Sequence, residues 1–344
     1  MAFANSNYSD IITTTIQNRT GKLSDNFRNN NAFVRKLNAK GNVKPFGGGE
    51  LIQQELAYTD SSTINANSYS GGEVLNIAPN SPISSAQFAI KQYSSAVYMT
   101  GLEMAQNSSK ERFIDLMEGR IEIAEGQLMN RIDYDLYQDG TGNGGKNITG
   151  LALAVPDDPT TGTYGGIARG TYNFWRSQYY RGVTDGGAAV SKANIQDYMT
   201  TLALRCVRGN NKPDLYIADA TYFGMYVQSL QAIQRIADTT GSGKAGAGFG
   251  PELAFWGGGM AATVVMGGGI SGAVSSTQST SGATSAHMWA LNTDFIFWRP
   301  HRDRNFVPLG GERQSVNQDA VVKIFGVYGN MTSNGPQFSG VLIA

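Results

Sequence analysis

Histidine and cysteine, which often supply nucleophiles, bases and zinc ligands, are scarce in this sequence. Its 344 residues include two histidines, His287 and His301, and a single cysteine, Cys206. The sequence contains no HExxH, CxxC or GxSxG motif, so it indicates neither a zinc site nor a nucleophile–base pair. We predict that both histidines are surface or packing residues. Cys206 lies on the apolar side of a predicted helix, and we expect its thiol to be inert.

Two glycine patterns could suggest phosphate binding. The spacing GxGxxG occurs at Gly140, Gly142 and Gly145 and again at Gly241, Gly243 and Gly246. Dinucleotide binding requires this motif between a strand and a helix N-terminus, where the helix dipole meets the pyrophosphate. Both patterns instead follow predicted helices, and Gly243-Lys244-Ala245 lacks the hydroxyl residue that a P-loop places on magnesium. Their context therefore argues against a nucleotide site.

Asp133, Asp135 and Asp139 could suggest a calcium loop. Such a loop needs glycine at its sixth position and glutamate at its twelfth, which are occupied here by Gln138 and Gly144. We predict that the three carboxylates lie on the face of a helix. The sequence thus offers no convergent acid–base set, and we predict no catalytic, cofactor-binding or metal-binding residues and no enzymatic activity.

Composition favours a soluble protein whose surface carries few charged residues. Charged residues make up 16% of the chain, against roughly 25% in an ordinary soluble domain. This fits a subunit that buries much of its surface against neighbours, and it also fits a plain β-rich protein. Neither a signal peptide nor an apolar run of about 18 residues is present, which argues against secretion and membrane insertion. One cysteine excludes an intrachain disulfide and fits folding in a reducing cytosol.

The N-terminal region has the features of a basic arm. Net charge over the whole chain is zero, yet residues 18–45 carry one acid, Asp25, and seven basic residues, a local charge of +6: Arg19, Lys22, Arg28, Arg35, Lys36, Lys40 and Lys44. Helical spacing runs from Ser24 to Leu37, with Phe27, Val34 and Leu37 on one side and Gly41 as a terminator. We expect this arm to be ordered best against a partner surface. Its charges could face solvent, contact DNA phosphates or pair with acidic patches on a neighbour.

The next region predicts a long hairpin followed by a long helix. Gly47-Gly48-Gly49 precedes a predicted strand, Glu50–Tyr58, and a second strand follows at Phe88–Thr100. Because an isolated hairpin is marginal in water, we expect it to lie on another molecule. A capping box at Ser108–Glu111 then starts a helix that reaches residue 138, about 42 Å long. Its apolar stripe fits either a core helix or a structural spine: Phe113, Met117, Ile121, Ala124, Leu128 and Ile132.

The remainder predicts mixed α/β structure and a final hairpin. We predict helices capped by Ser191 and Thr221, the first ending near Arg208. Strands are predicted at Pro213–Asp219, Leu253–Trp256, Ala262–Met266 and Ala286–Asn292, in the hairpin Phe295–Gly310 with Asp319–Met331, and at Gln337–Ala344. The chain is therefore predicted to be an α+β protein.

This order of elements resembles the major capsid proteins of tailed phages, which have the Hong Kong 97-type fold. Detailed similarity is found in four stretches that together extend over much of the chain: Asp25–Glu50, Lys91–Leu151, Gly162–Gln178 and Leu291–Gly310. The resemblance implies an N-terminal arm (1–45), an extended loop (46–90), a peripheral domain with the spine helix (91–147), an axial domain (148–292), a peripheral return hairpin (293–328) and a C-terminal strand in the axial domain (329–344).

The resemblance also implies a function. It is that of a structural subunit that assembles with itself into pentamers and hexamers of an icosahedral shell around the double-stranded DNA genome. The implied location is the virion, after synthesis in the host bacterial cytoplasm, with no membrane partner. An encapsulin-like compartment, which shares the fold and encloses protein cargo, is the alternative.

Further partners follow from the resemblance: a scaffolding protein, a portal, optionally a decoration protein, and packaged DNA contacted without sequence preference. Some family members form crosslinks from a loop lysine, but no lysine lies between Pro45 and Ile90, so this chemistry is not expected here. Some family members carry a fused scaffolding segment before the arm. Met1 at the start of the arm favours a separate scaffolding protein.

Overall fold

The computed structural model describes residues 32–57, 68–74, 83–106, 110–233, 253–257, 260–267, 286–305, 307–309, 313–314 and 319–344. Several predicted features lie outside these residues: the helix start at Ser24 with Phe27, the capping serines Ser108 and Ser109, and the second glycine pattern at Gly241–Gly246.

Helices and strands both occur and stand largely in separate runs along the described chain, which confirms the predicted α+β class. The helices are α1 (Ala32–Ala39), α2 (Gly101–Gln106), α3 (Lys110–Leu136), the single distorted turn α4 (Gly142–Gly145), α5 (Leu151–Ala154), α6 (Gly182–Gly186), α7 (Ile195–Cys206) and α8 (Ala220–Ile233). The strands are β1 (Leu51–Ala57), β2 (Ile83–Ala89), β3 (Lys91–Thr100), β4 (Thr163–Tyr164), β5 (Ile167–Ala168), β6 (Gln178–Arg181), β7 (Leu215–Ala218), β8 (Leu253–Gly257), β9 (Met260–Met266), β10 (His287–Leu291), β11 (Ile296–Pro300), β12 (Val307–Pro308), β13 (Arg313–Gln314), β14 (Ala320–Ser333) and β15 (Gly340–Ile343).

One sheet is organised around the long strand β14. Its 14 residues pair antiparallel with β3 on one side, from Ala320↔Thr100 to Gly329↔Lys91. On the other side β14 pairs in turn with β11, β12 and β13. At about 3.4 Å per residue this strand is roughly 48 Å long, so it gives the sheet a long axis.

A second, six-stranded sheet has the order β6-β15-β10-β7-β9-β8. Residues alternate between its two faces, as the two-residue period of a strand requires. Tyr216 and Ala218 of β7 belong to a core with α7 and α8, whereas Leu215 and Ile217 belong to the core shared with α3. Because β7 is buried on both faces, its sequence is a continuous apolar run, and this explains why it was predicted correctly.

The long helix α3 lies along the first sheet. It has 27 residues, a length of about 40 Å at 1.5 Å per residue. Ala124, Leu128 and Ile132 are buried, which confirms the predicted apolar stripe over the part where burial is described. Ala124 packs with Val97 of β3 and Phe325 of β14. The Arg120 guanidinium lies 2.9 Å from the Glu103 carboxylate of α2, which fixes the helix near its start.

Two segments that were predicted as single strands are interrupted in the structure. The return strand Phe88–Thr100 is divided at Ile90, because β2 pairs with β1 while β3 pairs with β14. At this change of partner the Asn330 side chain donates to the Ala89 carbonyl oxygen at 2.8 Å. The predicted strand Phe295–Gly310 leaves the ladder after Pro300 and resumes at Val307, with a turn between them.

Two predicted helix starts are also wrong. The Asp219 carboxylate accepts the N–H of Tyr222 at 2.9 Å, so Asp219 and not Thr221 caps α8. Helix α7 begins at Ile195, since the Ser191 carbonyl accepts the N–H groups of Asn194 and Ile195 in a turn that precedes the helix. Within the described residues, no helix combines the length and apolarity needed to cross a membrane.

Candidate assembly surfaces

The base of the hairpin packs on the chain's own body. Ile52 and Leu56 of β1 and Ala86 and Phe88 of β2 are buried in the main core. The Phe88 ring meets the Tyr164 ring edge-on, with 5.1 Å between centroids. The expectation that this hairpin depends on another molecule is therefore wrong for its base. Apolar side chains alternate along both strands, and that alternation supplies one face that the body can cover.

A glycine makes this close packing possible. Gly165 has φ +57°, and a Cβ built there would lie 2.9 Å from Ala86 Cβ and from Phe88 Cζ. Its carbonyl oxygen accepts the N–H of Gln87 at 2.9 Å. A side chain at this position would both strain the backbone and separate the hairpin from its support.

The described part of the hairpin tip presents apolar side chains to solvent. Tyr69 is 66% exposed and Val74 is 99% exposed. Between them the Ser70 carbonyl accepts the N–H groups of Gly72 and Glu73, at 2.7 and 3.1 Å, in a tight turn. Covering such exposed apolar groups with another surface removes them from water, which lowers the free energy of the complex. A third exposed apolar residue, Trp256, lies on β8, the edge strand of the six-stranded sheet, and is 80% exposed.

The described part of the predicted arm also packs on the body. Phe33 and Leu37 of α1 are fully buried, and Val43 and Phe46 form bridges with Trp298 and His301. This corrects the expectation that residues 32–45 need a partner surface. The buried face contains Phe33 and Leu37, four residues apart, with Val34 partly buried beside them. Gly41 has φ +72° after the helix end, as its predicted terminating role requires.

Lys40 joins this arm to two other segments. Its Nζ lies 2.9 Å from Asp214 Oδ2 and 2.7 Å from Asp294 Oδ1. Burial alone lowers the pKa of Lys40, but the hydrogen bonds that it donates to the Asp294 and Asp214 carboxylates, together with their charges, outweigh this effect and raise the pKa. One of the seven arm charges is therefore neutralised within the chain.

The buried carboxylate of Asp135 holds the end of α3 in place. It is fully buried and accepts hydrogen bonds from Tyr93 Oη at 2.8 Å, Arg131 Nε at 3.0 Å and Asn147 Nδ2 at 3.1 Å. The Tyr93 hydroxyl in turn accepts the N–H of Ile148 at 2.9 Å. The cluster joins α3, β3 and the segment after α4. Sequence reasoning missed this role, although the position of Asp135 three residues after Ile132, on the apolar side of the helix, was a usable signal.

The histidines, the cysteine and Asp139, which were weighed as possible site residues and dismissed, each have separate partners or surroundings. His287 Nε2 is 2.9 Å from Asp157 Oδ1, whereas the His301 ring meets Phe46 edge-on. Cys206 is buried, and burial raises the pKa of its thiol to about 12, so the thiol is protonated at neutral pH. Asp139 lies beyond the end of α3, so its predicted place on the helix face is wrong, and its carboxylate accepts the N–H and the hydroxyl of Thr141. In the part of the chain that the structure describes, no group of three or more His, Cys, Asp or Glu residues is placed to hold a metal.

Gly140, Gly142 and Gly145 form a turn directly after α3. Gly140 and Gly145 have positive φ values of +82° and +77°, and within this turn Asn143 also has left-handed backbone angles. A distorted turn at the C-terminal end of a helix does not present the aligned N–H groups that bind phosphate. The glycines therefore serve the turn that follows α3.

Asp133 should make the stability of the chain depend on pH. Its Oδ1 is buried without a hydrogen-bond partner among the described residues, and burial raises the pKa from 3.8 to about 7. Between these values the folded chain keeps a proton that the unfolded chain has released. The stability contributed by this residue is therefore present at low pH and is lost as the pH rises toward 7.

Asp133→Asn stays neutral and should remove this loss. We expect the variant to exceed the wild type in free energy of unfolding by about 2–3 kcal/mol at pH 8, and by less than half of that at pH 5. Urea titrations at the two pH values measure the difference. The exposed Asp139→Asn serves as the control, and an equal gain for Asp133→Asn at both pH values would contradict the prediction.

Comparison with known proteins gives matches in structure only. No family model matches the chain, and no curated protein matches it in sequence. The cyanophage A-1(L) capsid subunit has a TM-score of 0.60 and 14% identity, and the match covers 96% of this chain and 98% of that chain. The capsid of the native GTA particle has a TM-score of 0.54 and 11% identity, with 94% and 92% covered. A Mycobacterium phage Bobi chain has a TM-score of 0.50 and 8% identity, with 88% and 89% covered. The chain therefore has the Hong Kong 97-type fold of phage capsid proteins.

Proposed function

We propose that this chain is the major capsid protein of a tailed phage. Its copies would assemble into pentamers and hexamers of an icosahedral shell that encloses double-stranded DNA. The observation that carries this proposal is the likeness to the cyanophage capsid subunit, which extends over 96% of this chain and 98% of the other. A likeness over both whole chains leaves little of this chain for a separate activity, so the proposed role is structural and not enzymatic.

The described features fit a rigid body with projecting contacts. Core packing and the Asp135 cluster fix α3 to the first sheet, so the surfaces that contact neighbouring copies keep a fixed geometry. The hairpin base is anchored, while Tyr69 and Val74 at its tip are exposed. Stable protein interfaces bury roughly 1,200–2,000 Å², and a shell subunit makes several of them. Many modest contacts of this kind make closure of a shell cooperative.

The two sheets support the proposed division into domains. The six-stranded sheet contains β6 to β10 and β15, which fall in the proposed axial segments 148–292 and 329–344. The sheet around β14 contains β3 and β11 to β13, which fall in the proposed peripheral segments 91–147 and 293–328. Strand β14 continues to Ser333, so the return to the axial domain is proposed to begin after that residue.

The proposed partners are other copies of the chain, a separate scaffolding protein, a portal and the packaged DNA, in a virion formed in the bacterial cytoplasm. A DNA contact by the arm would use charges other than Lys40, which pairs with Asp214 and Asp294 of its own chain. Such a contact would be independent of sequence and sensitive to salt.

Electron microscopy and sedimentation of the purified chain test the proposed function. We expect closed icosahedral particles, or capsomers that form particles when scaffolding protein is supplied. Particles from infected cells should hold nuclease-protected DNA, whereas protein cargo in their place would indicate the encapsulin-like alternative. A chain that stays monomeric at high concentration, with or without scaffolding protein, would contradict the proposal.

A further inference from the structure

A cleft lies where the hairpin leaves the body. It has a volume of about 510 Å³ and is lined by residue 46, residues 48–53 and Arg299. Gly48 and Gly49 have φ values of +141° and +118°, which favour glycine, so this wall of the cleft carries no side chains there. The opening is therefore wide enough for a side chain from another molecule.

Arg299 is a half-buried cation without a carboxylate partner in the described chain. One guanidinium nitrogen, Nη2, donates to Gln54 Oε1 at 2.7 Å, while Nε is buried and has no acceptor among the described atoms. Burial lowers the pKa of the Arg299 guanidinium, and no described carboxylate offsets this. Burying a cation without an anion is unfavourable, so an arrangement of this kind is stabilised when an anion binds.

A second cation, Lys44, lies near Arg299, although it is not among the residues that line the cleft. The Lys44 ammonium lies 4.5 Å from the centroid of the Phe297 ring, and the Arg299 guanidinium carbon lies 5.5 Å from that centroid. The two cations are therefore no more than about 10 Å apart, close to one Debye length at 0.1 M salt. Lys44 also has no ion pair within the described residues. Glu50 lines the cleft, but no described hydrogen bond joins it to either cation.

We propose that this cleft binds a carboxylate side chain of a second copy of the chain. The partner is inferred from charge. The whole chain has net charge zero, so the positive charge of the arm is balanced by acidic residues in other parts of the chain. Exposed carboxylates without a described ion pair occur on other elements, at Glu73, Asp139 and Asp197. A recessed cleft suits a single side chain better than a stiff DNA duplex. The inference rests on the proposed function, because it requires copies to be in contact.

Zero-length crosslinking tests the proposal. Arg299→Lys places a reactive amine at the cleft, and a carbodiimide joins an amine only to a carboxylate in direct contact. Particles are assembled from mixed ¹⁵N-labelled and unlabelled chains, treated, digested and examined by mass spectrometry. We expect a crosslinked peptide that joins the introduced lysine of one chain to a carboxylate of another. Arg302→Lys, at an exposed neighbouring position, is the matched control and should give at least about tenfold less of that product.

Particle yield provides the second measurement. Arg299→Gln should lower the yield about tenfold or more, as loss of one partner of a buried charge pair does, while the melting temperature of the unassembled chain stays unchanged or rises. Crosslinks confined to Glu50 of the same chain would overturn the proposal. Normal particle yield with reduced DNA content would also overturn it, because that result would indicate that the cleft binds a DNA phosphate. Failure of the wild type to assemble would instead count against the proposed function.

Discussion

Deletion of residues Ser61–Ser81 is expected to abolish shell formation and to leave the chain folded. The four apolar anchors of the hairpin base, Ile52, Leu56, Ala86 and Phe88, remain in the shortened chain and keep their contacts with the body. The deletion removes the exposed Tyr69 and Val74, which make no contribution to the described core. Sedimentation and electron microscopy measure assembly, and thermal melting measures folding.

A length-preserving variant separates side-chain contacts from loop length. Tyr69→Ser combined with Val74→Ser keeps the tip but removes its exposed apolar groups. We expect a partial loss of particles, because burying a large apolar side chain contributes about 1.5–3 kcal/mol. Shells at normal yield from the deletion would contradict the role of the tip. Unfolding of the deletion variant would show that the tip belongs to the fold of its own chain.

Asp135→Ala is expected to lower the free energy of unfolding by about 2–3 kcal/mol, since the buried Asn147 amide and the half-buried Tyr93 hydroxyl lose their acceptor, whereas Arg131 is half exposed. Three donors from separate places converge on this carboxylate: Tyr93 of β3, Arg131 of α3 and Asn147. Particle yield should fall as well, because the cluster is one of the contacts that fix the end of α3 to the first sheet. Urea unfolding of the unassembled chain measures the loss.

Asp139→Ala is the matched control for this prediction. Asp139 is exposed and bonds only to Thr141 among the described residues, so its loss should cost less than about 1 kcal/mol. Equal losses for the two variants would show that the Asp135 cluster does not hold the end of α3. If only Asp135→Ala lowers the free energy of unfolding but its particle yield is normal, the cluster stabilises the chain without being needed for assembly.

The sequence predicted those elements whose signals are local. Helix α3 follows from an apolar repeat of 3.6 residues, and β7 follows from a short apolar run that is buried on both faces. Cys206 was placed on the apolar side of its helix for the same reason, and it is fully buried in α7. No long-range information is needed for any of these assignments.

Predictions failed where the outcome depends on distant partners. The division at Ile90 arises because β2 pairs within the hairpin while β3 pairs with β14, more than 200 residues away along the chain. Alternation of side chains is the same in both strands, so it does not reveal the change of partner. The packing of α1 on the body depends in the same way on distant contacts, such as the bridge between Val43 and Trp298.

The candidate assembly surfaces could be predicted only in part. The sequence predicted a long hairpin that contacts another molecule, and the exposed Tyr69 and Val74 leave apolar groups available for such a contact. The cleft at Arg299 could not be found from sequence, because Gln54 of β1 and Arg299 of β11 meet only after the two strands have packed together. The sequence alone does not show whether an arginine in a strand has a carboxylate partner in the folded chain.

Cryo-electron microscopy of wild-type particles, with residues 58–82 traced in the map, tests the central idea most directly: each chain is completed by its neighbours. We predict a closed shell in which Tyr69 and Val74 of one copy are covered by the body of another. A particle or free chain in which this tip folds back onto its own body, with both side chains covered there, would contradict the account.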